Sequence, residues 1–193
     1  MNTVGMSTFL PNLRHLITGP LDVWMEEALF DAVVQFCRQT ELVTLSRTIS
    51  SWATGQEIEV SNDYDFIACQ ILRLNDADGI KLTPGVDYHA LSPNTLTALT
   101  DLTGITLWYA VEPSRESVCA PELVERHYTD VICNGAAATL FLQPDKPWTD
   151  PQRAAEYQAR FTEGIRHAAR FRKQQSNADR VEFDNPVRRH TFY

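Results

Sequence analysis

Residues 135–168 read GAAATLFLQPDKPWTDPQRAAEYQARFTEGIRHA, and a proline-rich run interrupts the apolar pattern in the middle of this stretch. Small and apolar residues recur at three- and four-residue spacing, stop at Pro144 and resume shortly after it. That spacing is typical of two amphipathic helices, and proline ends a helix because it lacks a backbone N–H. The sequence therefore predicts helices over about residues 121–143 and 150–175.

The turn between these two helices contains three prolines and a tryptophan. Pro144, Pro147 and Pro151 each fix φ at about −65° and so stiffen the connection. Asp150 suits an N-cap, and Pro151 then occupies the first helical position. We predict that Trp148 is buried between the ends of the two helices and holds their angle.

An earlier helix is predicted over about residues 20–39, where apolar positions again follow the helical period and Gly19-Pro20 forms the opening. Between residues 42 and 112 the pattern changes to alternation and short apolar runs separated by turn residues. Such spacing predicts a small antiparallel β-sandwich or barrel. The run FIACQILRL at residues 66–74 is apolar on both faces, which predicts a central strand.

The predicted fold class is therefore α+β, a bundle of one N-terminal and two C-terminal helices with an inserted β region. Residues 1–176 form a single domain in this interpretation, and residues 177–193 form an extended C-terminal docking tail. The tail lacks helical periodicity, and a frayed end is the alternative. Its candidate partner-binding residues combine aromatic rings with charge, as at interface hot spots: Phe183, Arg188, Arg189, Phe192 and Tyr193.

The charge of the chain is unevenly distributed. The 193 residues carry a net charge of −8. Residues 1–149 contain eight Lys and Arg against 19 Asp and Glu, whereas residues 150–193 contain nine against six. An acidic balance disfavours a general binder of nucleic acid or anionic membrane. The sequence also shows no run long enough for a transmembrane helix and no signal-peptide pattern.

Motifs that carry chemistry are missing from the sequence. GxGxxG, Walker A, HExxH and GxSxG do not occur. The NDADG run at residues 75–79 lacks the first and last carboxylates of a calcium loop and predicts a hairpin turn. The cysteines are too widely spaced for a zinc site and predict buried thiols: Cys37, Cys69, Cys119 and Cys133. The sequence predicts no catalytic residue, no cofactor and no metal.

Two segments resemble head-to-tail connector proteins of tailed double-stranded DNA bacteriophages. Residues 26–49 are similar to the family's "ALxDAxxxFCxxT" helix, and residues 135–168 to its "GAxxxLxxxPxKPWxxPxxAxxYxxxFxxGI" stretch. The matching positions are Ala28, Leu29, Asp31, Ala32, Phe36, Cys37 and Thr40, then Gly135, Ala136, Leu140, Pro144, Lys146, Pro147, Trp148, Pro151, Ala154, Tyr157, Phe161, Gly164 and Ile165. Together the two segments cover about a third of the chain.

The resemblance implies a structural, non-enzymatic protein of the virion neck, made in the host cytoplasm. Such proteins form a homo-oligomeric ring, commonly a dodecamer, beneath the portal protein. The ring extends the DNA channel and presents a docking platform to the next neck or tail protein, with no membrane involved. DNA passes through without sequence-specific binding, and an acidic channel wall repels its phosphates.

The resemblance places the tail on the portal protein or on a neighbouring subunit. Two other functions stay open from the sequence. One is a stopper or tail-side completion protein of the same neck, which differs in the protein that it contacts. The other is a small intracellular enzyme with a nonlocal site, which a deep pocket lined by titratable residues would favour.

Overall fold

The computed structural model describes residues 1–175, which form a mixed α+β fold. The helices are α1 (Leu10–Leu16), α2 (Asp22–Thr40), α3 (Glu122–Phe141) and α4 (Pro151–Gln175). The strands are β1 (Thr3–Gly5), β2 (Thr44–Trp52), β3 (Glu57–Glu59), β4 (Phe66–Asn75), β5 (Tyr88–Ser92), β6 (Thr95–Ala98), β7 (Leu102–Pro113) and β8 (Cys119–Pro121). The predicted α+β class is confirmed.

The three long helices pack together and bury their apolar faces. The buried side chains of α2 follow the helical period, as amphipathic helices require: Met25, Ala28, Leu29, Phe30, Ala32, Val33, Phe36 and Cys37. Both α3 and α4 contact α2, so the β region between them is an insertion in a helical bundle. Pro20 does not open α2, because the helix begins at Asp22 with Leu21 as its N-cap.

The α3–α4 contact depends on small residues. Ala136, Ala137 and Ala138 are buried in the middle of α3. A Cβ on Gly135 would lie 3.0 Å from three ring atoms of Phe161 on α4. The two backbones therefore approach closely at this point.

The inserted strands form two three-stranded antiparallel sheets within the described residues, in the orders β2-β7-β4 and β3-β6-β5. The prediction that residues 66–74 form a central strand is wrong, because β7 lies in the middle of its sheet and β4 at an edge. β4 is interrupted by irregular pairing with β7 after Ala68 and after Ile71. Its outward apolar side chains stay partly exposed, with Ile67 at 39%.

The N-terminal segment is part of the fold. β1 pairs with β8 immediately before α3, and the Glu122 N–H donates to the Asn2 carbonyl at 3.1 Å. Phe9 and Leu13 are completely buried beside the long helices. This layer has little local pattern of its own and is held by tertiary packing.

The β insertion is connected to the helical bundle by two neighbouring strand ends, the start of β2 and the end of β7. Thr44 at the start of β2 pairs with Ala110 near the end of β7. Just beyond this pair, Arg38 of α2 donates two hydrogen bonds to Glu112 of β7, at 2.7 and 2.6 Å. The Glu112 side chain is only 7% exposed, so this ion pair fixes the insertion to α2.

Candidate functional site

The turn between α3 and α4 is closed by its own hydrogen bonds. The Thr149 hydroxyl accepts a bond from the Lys146 N–H at 3.1 Å and donates to the Gln143 carbonyl. The Asp150 N–H donates to the Phe141 carbonyl at 3.0 Å. These bonds satisfy backbone groups that a helix end leaves unpaired, and they fix the shape of the turn.

The start of α4 follows the sequence prediction. Asp150 Oδ1 accepts hydrogen bonds from the N–H groups of Gln152 and Arg153, at 3.1 and 3.0 Å. This is N-cap geometry, with Pro151 at the first helical position. Pro144, Pro147 and Pro151 are themselves exposed, so they shape the backbone without packing in the core.

Trp148 is half-buried rather than fully buried. It packs on the segment that leads into α2, where a Cβ on Gly19 would lie 2.8 Å from Trp148 Cε3. Its ring centroid is 6.0 Å from that of Trp24. Gly19 has φ +115° and no side chain, and so leaves room for the indole.

Lys146 completes this aromatic contact. Its ammonium nitrogen lies 4.8 Å from the centre of the Trp24 ring, in cation–π geometry. Trp24, Lys146 and Trp148 therefore tie the turn to α2. Gly19, Lys146 and Trp24 were not predicted as parts of this site, because Trp24 fits the apolar period of α2 and Gly19-Pro20 resembles a helix opening.

A cavity of about 630 Å³ opens beside the turn. Its wall includes residues 15–19 and 147–150, with Arg153 and Asp150 as charged members. Trp148 Nε1 is buried and has no hydrogen-bond acceptor among residues 1–175. A buried donor without a partner is costly, so other contacts of the indole must offset this cost.

The second predicted site, in the C-terminal tail, lies outside the described residues. This applies to all five residues assigned to partner binding: Phe183, Arg188, Arg189, Phe192 and Tyr193.

The thiols are not activated as nucleophiles. All four cysteines are free, and burial raises the pKa of Cys69 to about 11 and that of Cys133 to about 12. Burial also raises the pKa of Cys119, whose Sγ lies 3.1 Å from the Ser117 hydroxyl. Nucleophilic attack requires the thiolate, which these shifts disfavour. Within residues 1–175, no three His, Cys, Asp or Glu side chains are grouped so as to hold a metal ion.

A second concavity lies at the other end of the α3–α4 pair, away from the turn. It is a largely apolar groove of about 680 Å³, which we call the α3–α4 groove. Its lining residues are Leu42, Leu123, His127, Tyr128, Val131, Gly164, His167 and Phe171. The sequence did not predict this groove. The signal that could have indicated it is Phe171, a large aromatic near the end of a basic helix.

No protein-family model matches the chain, and no curated protein matches it. Across residues 1–175, every helix is too short or too polar to cross a membrane.

Proposed function

We propose that this protein is a head-to-tail connector of a tailed bacteriophage, located in the neck of the virion. Copies form a ring beneath the portal protein, extend the DNA channel and present a platform to the next neck or tail protein. The observation that carries the proposal is that residues matching the connector pattern build the α3–turn–α4 unit. Gly135 and Phe161 make one of its close interhelical contacts, and Trp148 anchors its turn.

The first matching segment supports the same interpretation. On α2, the matching positions other than Asp31 are all buried: Ala28, Leu29, Ala32, Phe36, Cys37 and Thr40. Asp31 is exposed and accepts a hydrogen bond from Arg115 at 3.0 Å, beside the entry to β8. Most positions of α2 that resemble the connector pattern are therefore buried in the core of this fold.

Charge supports a role beside DNA. The acidic excess lies in residues 1–149, whereas α4 is basic. A channel wall rich in carboxylates repels phosphates, so DNA slides without adhering. Exposed arginines of α4 can then contact acidic protein surfaces: Arg153, Arg160, Arg166 and Arg170.

The turn site supports a docking role. It offers a cavity of about 630 Å³ lined by two charged side chains, Asp150 and Arg153. These features suit contact with a peptide segment of another protein. In this proposal the turn faces a neighbouring subunit or the next neck component, and the tail reaches the portal.

Imaging the purified protein alone and with portal-containing heads tests the proposal. We expect a ring of copies under the portal, and a single copy at the neck or no attachment would contradict it. Attachment to the tail side instead of the portal would assign the protein to the stopper or completion class.

The tail residues give a matched comparison. Arg188→Ala with Arg189→Ala is expected to abolish attachment to portal-containing heads, because both guanidinium groups would lose carboxylate partners. Lys81→Ala with Arg126→Ala, two exposed basic residues outside α4 and the tail, removes the same charge elsewhere. Equal attachment by both variants would show that the tail does not contact the portal.

A further inference from the structure

We propose that the α3–α4 groove binds the C-terminal segment of the same chain, with Val181 and Phe183 inserted between Leu123 and Phe171. The inference does not depend on a role in the virion neck. It assigns one occupant, residues 177–184, to an apolar surface that residues 1–175 leave open.

The rims of the groove expose apolar side chains from two helices. Leu123 of α3 is 40% exposed and Phe171 of α4 is 46% exposed. Between them, Gly164 has no side chain and Val131 is only partly buried. Covering such a surface removes apolar area from water, at about 25 cal/mol for each Å², so an apolar segment is the natural occupant.

The floor and the end of the groove are fixed in place. Tyr128 departs from helical geometry inside α3, with φ −133° and ψ 16°, and its ring lies 4.9 Å from that of Phe36. At the end of α4, Arg172 Nε donates to the Glu41 carbonyl at 3.0 Å. The groove is therefore a preformed concavity, which lowers the entropic cost of binding.

The chain leaves α4 at the rim of this groove. α4 ends at Gln175, about one helical turn beyond Phe171. Residues 176–179 read SNAD, in which Ser176, Asn177 and Asp179 are residue types that favour reversal of the chain. Eight extended residues reach about 26 Å, whereas the α4 side of the groove from Gly164 to Phe171 spans about 10 Å. Phe183 can therefore reach any part of it.

The pattern of the segment fits the groove. Val181 and Phe183 are two residues apart, so they share one side of an extended chain while Glu182 points to the other. The acidic residues of the segment then lie beside a basic helix, because Arg166 and Arg170 are exposed on α4. The apolar side chains and the opposite charges therefore both favour placing this segment in the α3–α4 groove.

This placement directs the end of the chain outward. With Phe183 held in the groove, residues 188–193 continue beyond it and remain available to a partner. The groove then acts as an anchor that limits the volume searched by Arg188, Arg189, Phe192 and Tyr193, which raises their effective concentration at a partner surface.

Disulfide trapping in the full-length protein tests the inference. Asp184→Cys places a thiol beside Phe183 without removing it, and His127→Cys places the second thiol on the groove. The control pair combines Asp184→Cys with His89→Cys, because His89 is also an exposed histidine but lies on β5. Asp184→Cys alone controls for pairing with the half-buried Cys69.

We expect the groove pair to form an intramolecular disulfide at least about tenfold faster than the control pair, because binding raises the local concentration of the two thiols. Adding Phe183→Ser to the groove pair should remove this advantage. Equal rates for the two pairs would overturn the inference. Disulfide-linked dimers as the main product would overturn it too, because they assign the groove to a second copy.

Discussion

The backbone of Gly164 lies so close to Val131 that a Cβ at position 164 would stand 2.5 Å from Cγ1 and 2.6 Å from Cγ2 of Val131. Gly164→Ala is therefore expected to destabilise the fold by about 1–3 kcal/mol through overpacking. Val131→Ala in the same chain should recover part of this loss, which a double-mutant cycle of denaturant unfolding measures.

A matched glycine provides the control for that prediction. Gly5 has φ −72°, and a Cβ there would lie 3.6 Å from Ser7 Oγ, an ordinary contact. Gly5→Ala should change the free energy of unfolding by less than about 1 kcal/mol. If Gly164→Ala is equally mild, the close approach of α3 and α4 is wrong.

Trp148→Ala should lower the free energy of unfolding by about 2 kcal/mol. A fully buried aromatic would cost about 3–5 kcal/mol, but Trp148 is half-buried and loses fewer contacts. Thermal unfolding monitored by circular dichroism measures the loss, with Trp148→Phe as the conservative variant. Melting of Trp148→Ala at the wild-type temperature would mean that the turn is not anchored to α2.

Arg38→Met should destabilise the protein by about 2 kcal/mol, because Glu112 would keep a buried carboxylate without its cation. Solvent screening keeps the loss below that of a fully buried pair, since the Arg38 side chain is 63% exposed. Arg14→Met breaks the pair with Asp22, in which both side chains are more than half exposed, and should cost less than about 1 kcal/mol. Equal losses in the two variants, measured by urea unfolding, would contradict the structural role of Glu112.

The cysteines should react with iodoacetamide in an order set by burial and pKa. Burial raises the pKa of Cys69 to about 11, so its thiol is protonated at neutral pH, and alkylation should accelerate about tenfold for each pH unit between pH 7 and 9. Cys37 and Cys133 are buried and should react only after unfolding. Peptide mass spectrometry after timed labelling reports the order, and faster labelling of Cys133 than of Cys69 would refute it.

The long helices were predictable from the sequence because their signals are local. Periodic apolar positions and a proline-rich stop placed the three helices within a few residues of their observed bounds. The N-cap at Asp150 was also predictable, because an aspartate followed by proline specifies that geometry. Such features depend on neighbours within one or two turns of the chain.

The remaining features depend on contacts between distant segments. α1 is too short to be stable alone, and its position depends on burying residues such as Leu13 against the bundle. The neighbours of Trp148 could not be predicted, because Gly19 precedes it by most of the chain. The central place of β7 likewise follows from its pairing with β2 and β4, which both lie far from it in the sequence.

The pairing of Thr44 with Ala110 has an evolutionary consequence. Antiparallel partners lie about 5 Å apart. The chain therefore enters and leaves the β insertion at nearly the same place, as it does at the base of a single hairpin. Strands and loops farther from this base can lengthen, shorten or be exchanged for a different module without moving α2 relative to α3. Relatives of this protein are therefore expected to vary most in the length and sequence of residues 53–101 and least at the hairpin base.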